Sequence, residues 1–345
     1  MATSAESNFL KTPQAEAPQL LDGFGRVINY ARVSLTDRCN FRCLYCMPQG
    51  GRPFIPHERI LHHEEMLRLC ARMAELGISS YKITGGEPLC RKDAAIFIKQ
   101  LIALPGVREV SLTTNGSLIA PQLEDLAAHG LKSVTFSLDA MTPEALRRVT
   151  RSDTPPGEIL ASMDLAAALG LRVKINTVLL KGLNDAELVP LTRYALERGW
   201  HIRFIELMPV GEGKQFAGIA PEEVFRNIEA QFGQLSPVSR KTGNGPAVMY
   251  SLESYPGLVG FIAALSGRFC ASCNRVRLVS TGFLKTCLCH EAGIDLRGPL
   301  REGASDAKLT QIIRDAVSQK PQGHVFSFDK AKADVAGFNM NSVGG

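Results

Sequence analysis

The sequence has no apolar run near the roughly 18–20 residues that cross a bilayer, so no membrane association is expected. No export leader is expected: the first twenty residues, MATSAESNFLKTPQAEAPQL, lack a basic stretch followed by an apolar one, and carry two glutamates and no arginine. Residues 1–22 read instead as a flexible tail, and the expected location is cytoplasmic. There is no Walker loop, because Gly211-Glu212-Gly213-Lys214 lacks the spacing and the following Ser or Thr. Any nucleotide must therefore be held another way. There is no long Lys/Arg run, so nucleic acid is not the expected partner, and a net charge of +5 fits an anionic small molecule. No low-complexity segment occurs either.

What is present is ordinary in composition, with 45% hydrophobic and 21% charged residues in a chain of 345, long enough for one large domain or two medium ones. The nine cysteines are more informative. An odd number without an export signal argues against a disulfide framework. Six of them form two tight groups, while Cys70 and Cys90 stand alone and read as buried small hydrophobes.

Up to about residue 210 the chain alternates strand-like runs (26–34, 79–84, 109–114, 133–138, 172–179, 201–207) with amphipathic stretches near 58–76, 92–104, 120–129, 157–169 and 184–198. This rhythm predicts repeated βα units around a parallel sheet. Six units are too few for an eight-stranded barrel, so the expected fold is an incomplete (β/α)6 TIM-type barrel, with an open doubly wound sheet as the alternative. Unusual residues fall at or after the strand ends, which in such barrels is the face that carries chemistry. After residue 210 a loop, a helix near 221–232, short apolar runs over 235–285 suggesting antiparallel strands, and a helix near 306–318 form a C-terminal extension. The expected division is a tail over 1–22, a barrel over 23–210 and this extension over 211–345.

The first cysteine group is Cys39-x3-Cys43-x2-Cys46. Three thiolates hold a four-iron cluster with one iron left open to a small molecule. A zinc site completed by His57, His62 or His63 is the competing reading. The next strand ends in Gly85-Gly86-Glu87, where a Gly-Gly pair lets backbone approach a ligand closely. The second group is Cys270-x2-Cys273-x13-Cys287, with Cys289 two residues on. Four ligands would give a closed site, either a structural zinc or an auxiliary cluster. Three would leave another open iron. Arg275 and Arg277 follow directly, two apart, so in an extended segment their guanidinium groups point the same way, towards an anion or purine.

The first group, with Tyr45 before its last cysteine and Gly85-Gly86-Glu87-Pro88 one βα unit later, resembles the radical S-adenosylmethionine superfamily. With Cys-x2-Cys-Asn-Arg-x-Arg behind it, the chain from about residue 23 resembles the GTP 3′,8-cyclase family of molybdenum cofactor biosynthesis. The resemblance implies two [4Fe–4S] clusters, on Cys39, Cys43 and Cys46 and on Cys270, Cys273 and Cys287. It implies S-adenosylmethionine near Tyr45, Gly86, Ser137 and Met208. GTP would lie near Arg32, Lys82, Thr113, Lys174, Arg203, Arg275 and Arg277, the first five near strand ends. The two arginines and a C-terminal Gly344-Gly345 pair would act in catalysis. The implied reaction turns GTP into (8S)-3′,8-cyclo-7,8-dihydroguanosine 5′-triphosphate. The implied partners are an electron donor and a downstream cyclic pyranopterin monophosphate synthase, with a homodimer as an allowed assembly. The competing functions are a radical enzyme acting on a peptide or RNA, and a zinc-containing binding module.

Overall fold

The computed structural model describes residues 18–240, 242–267 and 269–323. Its strands are β1 (Tyr30–Ser34), β2 (Ser80–Thr84), β3 (Glu109–Thr114), β4 (Ser133–Ser137), β5 (Arg172–Thr177), β6 (His201–Ile205), β7 (Ser236–Pro237), β8 (Val248–Leu252), β9 (Tyr255–Ile262), β10 (Arg275–Leu278), β11 (Phe283–Lys285) and β12 (Gly293–Asp295). The helices are α1 (His63–Glu75), α2 (Ala94–Ile102), α3 (Leu123–Ala128), α4 (Pro143–Thr150), α5 (Pro156–Ala168), α6 (Leu188–Glu197), α7 (Pro221–Phe232), α8 (Arg297–Arg301) and α9 (Asp306–Ser318). No described helix is long and apolar enough to cross a membrane.

All the strands join one sheet in the order β12-β11-β10-β1-β2-β3-β4-β5-β6-β9-β8-β7. The six-unit barrel core is as expected, but the extension does more than add antiparallel strands. It lays β10 parallel to β1 and β9 parallel to β6, so the parallel row is eight strands long. Outside that row the pairings are antiparallel: β10 with β11, β11 with β12, β9 with β8 and β8 with β7. Neither β9 nor β10 has a helix of the repeating βα kind before it, and both pair with strands distant in sequence, so local periodicity did not reveal them.

Each barrel strand alternates. Ala31, Val33, Tyr81, Ile83, Val110, Leu112, Val134, Phe136, Ile175 and Ile202 face the helical layer and are at most 2% exposed. The residues between them are polar and face inwards. This reverses the ordinary filled barrel, whose interior is apolar. It leaves a cavity of about 820 Å³ along the axis.

Two shorter findings bear on the site. The stretch before β1 is not all tail: Leu20 is buried, and Asp22 pairs with Arg26, whose guanidinium donates to the carbonyls of Cys270 and Pro321. Residues 1–17, 324–345, 241 and 268 are outside the described residues, and with them Gly344 and Gly345.

Candidate active site

The cavity has two ends because β1 and β10 run in the same direction. The loop bearing Cys39, Cys43 and Cys46 follows the C-terminal end of β1. Tyr30 is level with Arg275, so Cys273, just before β10, lies at the strands' N-terminal end. β11 runs back antiparallel, with Lys285 level with Arg277, and returns Cys287 to that same end. All six cysteines line the one cavity. The expectation of a site confined to the C-terminal face is therefore corrected. Arg32, Lys82, Lys174 and Arg203 are also not at strand ends; they sit inside their strands and point into the middle of the barrel.

The loop of the first thiols is held on three sides. On one side Gly86 N donates to Thr36 O at 2.7 Å and Glu87 N to Arg38 O at 2.8 Å. A Cβ on Gly86 would lie 2.2 Å from Arg38 O, and one on Gly85 2.8 Å from Thr36 O. The close approach demanded of this glycine pair is to the cysteine loop itself. On a second side Arg42 N and Leu44 N, flanking Cys43, donate to Thr150 O and Val149 O, the last carbonyls of α4. This satisfies a helix terminus that would otherwise be orphaned. α4 falls outside the helices expected from the sequence, although Thr142-Pro143 is a recognisable start, with proline in its first turn. On the third side Asn40 accepts from Asn115 and donates to Ser117. Cys90 is half-buried, not buried as expected, with its thiol 3.8 Å from Asn40 Oδ1, whereas Cys70 is fully buried.

Two buried carboxyls stand behind this loop. Glu87 accepts from Leu89 N, Thr114 Oγ1 and Asn115 N, and burial pushes it up to about 7. Asp139 accepts from Tyr45 Oη at 2.7 Å and Val178 N at 2.8 Å, and burial pushes it up to about 6. Asp139 fixes the Tyr45 ring at the cavity wall, where Ser137 and Met208 also stand.

The middle of the barrel is a belt of cations. Lys82 donates to Thr135 Oγ1 at 2.8 Å and Arg203 Nη2 to the same oxygen at 3.2 Å. Lys174 reaches Thr242 O at 3.4 Å. Burial first, and then mutual repulsion, holds Lys82 well below its usual range, Lys174 near about 8, Arg203 near about 10 and Arg277 near about 9. Cations crowded this way suit a polyanion. Thr113 Oγ1, Asn176 Oδ1 and Arg203 Nε are buried without a hydrogen-bond partner among the described residues, which also fits a polar ligand.

At the N-terminal end Asn244, in the loop before β8, donates to Ser80 Oγ and Glu109 Oε2 and covers the mouth. Lys320, 3% exposed, donates to Arg275 O at 3.0 Å and to Thr286 O, beside Cys287. Thr135, Asn244 and Lys320 were missed by the sequence reading. The polar alternation along every barrel strand, as in Ser-Tyr-Lys-Ile-Thr, was the signal that could have found the first. Asn244 and Lys320 leave no such pattern.

Among the described residues no three His, Cys, Asp or Glu side chains are gathered as around a single metal ion. Three unbridged thiols at each end, spread over a cavity wall, instead fit a larger multi-iron group.

Residues 33–195 match the Radical SAM superfamily, and residues 200–326 match the family described as Molybdenum Cofactor Synthesis C. A GTP 3′,8-cyclase of Clostridium perfringens (strain 13) is 39% identical over 91% of this chain and 97% of its own. One from Desulforamulus reducens is 42% identical over 88% and 95%, and one from Paracoccus denitrificans 41% over 95% and 95%. The chain belongs to the GTP 3′,8-cyclase family.

Among solved structures, Streptococcus suis SuiB bound to its precursor peptide SuiA is similar in fold, with a TM-score of 0.61 over 86% of this chain and 65% of that longer one, at 13% identity. SuiB bound to S-adenosylmethionine gives 0.59 over 88% and 77%. These two show the shared fold. Of the sequence-predicted site, every residue other than Gly344 and Gly345 lines this one cavity of the cyclase-family chain.

Proposed function

We propose that the protein converts GTP to (8S)-3′,8-cyclo-7,8-dihydroguanosine 5′-triphosphate, using S-adenosylmethionine and two [4Fe–4S] clusters. The observation that carries this reading is one cavity with three thiols at each end and a belt of cations between them. The five residues of a barrel strand separate the two ends by roughly 15 Å, at about 3.3 Å per residue, a span suited to a nucleotide and a nucleoside cofactor side by side.

Cys39, Cys43 and Cys46 would hold the first cluster, and Cys270, Cys273 and Cys287 the second. When bound, the first supplies the electron that cleaves S-adenosylmethionine to methionine and a 5′-deoxyadenosyl radical. The remaining work belongs to the protein. Tyr45, fixed by Asp139, and the walls at Gly86, Ser137 and Met208 orient the cofactor's adenosyl and methionyl parts. Arg32, Lys82, Lys174 and Arg203 neutralise the triphosphate in place of a Walker loop, with Thr113 as a further polar contact. Arg275 and Arg277 orient the purine so that C8 faces the ribose C3′, from which hydrogen is taken. Such positioning supplies much of the barrier reduction in a reaction whose chemistry is the cofactor's. A soluble or protein electron donor and an enzyme that rearranges the product complete the proposed sequence.

The test is an oxygen-free incubation of iron-loaded protein with GTP, S-adenosylmethionine and a reductant. The expected result is 5′-deoxyadenosine and cyclised nucleotide in equal amounts. Cleavage without any altered nucleotide would remove GTP from the reading. Protein that carries zinc and no sulfide would remove the radical chemistry.

A further inference from the structure

The end of the cavity that bears Cys270, Cys273 and Cys287 holds a fourth thiol that the reaction above does not use. Cys287 and Cys289 are two residues apart in the short segment between β11 and β12, and both line the cavity. Their thiols share a hydrogen bond, and Cys289 is also electrostatically coupled to Cys270 and to the Arg277 guanidinium. The segment is fixed at several points. Lys285 Nζ donates to His290 O at 2.7 Å, the His290 ring pairs with Gly323 O at 2.9 Å, and Lys320 holds Thr286 O. Cys289 therefore keeps a set distance from the other thiols.

The contrast with Cys70 shows what is unusual. Cys70 is fully buried, and its surroundings act on it through burial alone, as expected of a small apolar filler. Cys289 is 8% exposed and its neighbours are two thiols and a guanidinium. A filler has no use for that company, whereas a metal-binding thiolate has. Arg277 offsets the negative charge of the thiolate while it is bound.

We propose that Cys289 is an exchangeable fourth ligand of the C-terminal cluster, holding the iron that Cys270, Cys273 and Cys287 leave open until nucleotide takes its place. The proposal rests on the two-cluster reading above. In the nucleotide-free protein the Cys289 thiol gives its proton to solvent and forms an iron–sulfur bond. When GTP enters, that bond breaks, the sulfur regains a proton, and a lone pair of the purine fills the position. No electron is transferred in either direction. The resting protein is thereby protected from losing the open iron, and nucleotide binds against a competing internal ligand.

The experiment uses the full chain with Cys39, Cys43 and Cys46 all changed to Ala, so that only the C-terminal cluster can report. Iron and sulfide are measured first, with about four of each expected for one [4Fe–4S] cluster. A protein without them would end the two-cluster reading, and the proposal with it. In the loaded protein, graded ferricyanide removes one electron and releases one Fe²⁺ from any cluster with an unprotected iron, leaving a three-iron centre seen by electron paramagnetic resonance. The chain with Cys289 is expected to resist, and adding Cys289→Ala to convert readily while starting from the same iron content. GTP is expected to bind several-fold more tightly once Cys289→Ala removes the competitor. Equal conversion with and without Cys289 would overturn the proposal. So would complete iron loss in Cys289→Ala, which would make the thiol a permanent ligand.

Discussion

Cys39, Cys43 and Cys46 lie among carboxyls, whereas Cys270, Cys273 and Cys287 lie among cations. At the first site burial raises every thiol, and nearby carboxyls add to it: Cys39 is pushed up to about 12 with Glu87 contributing, Cys46 to about 11 with Asp139, and Cys43 well above the usual thiol range, also with Asp139. At the second site burial also opposes ionisation, but Arg275 and Lys320 overcome it and bring Cys273 down. Cys287 is lowered first by its hydrogen bond with Cys289, with Lys320 and His290 adding to the effect. The same ligand type has thus been placed in opposite fields. Local charge and hydrogen bonding to sulfur set the potential of an iron–sulfur centre. An electronegative setting suits a centre that gives an electron away, and an electropositive one suits a centre that holds an electron-rich ligand.

The strongest way to break this comparison is at its first member. Cys43→Ser is expected to abolish 5′-deoxyadenosine formation, while Cys287→Ser loses iron but retains cleavage of S-adenosylmethionine without a cyclised product. Chromatography of both reactions checks this, and persistent cleavage in Cys43→Ser would reverse the assigned roles. Next in size, Arg277→Ala and Arg275→Ala are expected to stop cyclisation with the iron content of both sites unchanged. Parallel loss of iron would instead assign the arginines to support of the second site.

Lys320→Met sharpens the comparison by removing a cation that only the second site has. It leaves the carbonyls of Arg275 and Thr286 without their donor, a loss of about 2 kcal/mol in denaturant unfolding. The C-terminal iron should become labile while the N-terminal iron stays. Equal lability at both sites would contradict the local role.

The smallest effect is in pH dependence, and it lies in the belt between the sites. Lys174 sits near about 8 because burial, and then Arg203 and Arg172, oppose its charge, with Glu109 partly offsetting them. A bound triphosphate favours the charged form and raises that value, so binding takes up a proton above pH of about 8. Affinity is then expected to be flat below that pH and to fall by up to about tenfold per unit above it. Without nucleotide the sign for folding is opposite: a lysine lowered from 10.5 makes the fold gain stability as pH rises from about 8 towards about 10.5. Calorimetry in buffers of different ionisation enthalpy separates proton uptake from other effects, and a proton count of zero at pH 9 (within about one unit of the Lys174 value) would remove the belt's titration.

The sequence disclosed the barrel core and the cysteine groups because both are local patterns. Strand alternation, Cys-x3-Cys-x2-Cys and Cys-x2-Cys each fit within a dozen residues. It did not disclose that β9 and β10 lengthen the parallel row, because those pairings join residues far apart in the chain. For the same reason it placed Arg32, Lys82, Lys174 and Arg203 on the rim: their depth depends on strand register, which a single strand does not contain. Lys320 was invisible because a lone lysine after a helix is normally a solvated surface residue, and only tertiary packing makes it a buried clamp.

The pairing of β1 with β10 has a consequence for how the protein is made. One wall of the cavity comes from the start of the described chain and its neighbour from near the end. Contacts of such long sequence separation form late, and chains emerge from synthesis N-terminal part first. A nascent chain that has reached β6 can already shape the first thiol loop, yet its cation-lined interior still stands open to solvent. Iron delivery to the two ends is therefore expected to follow a fixed temporal order, and a prematurely terminated product would present an unfinished, charged groove for proteolytic clearance.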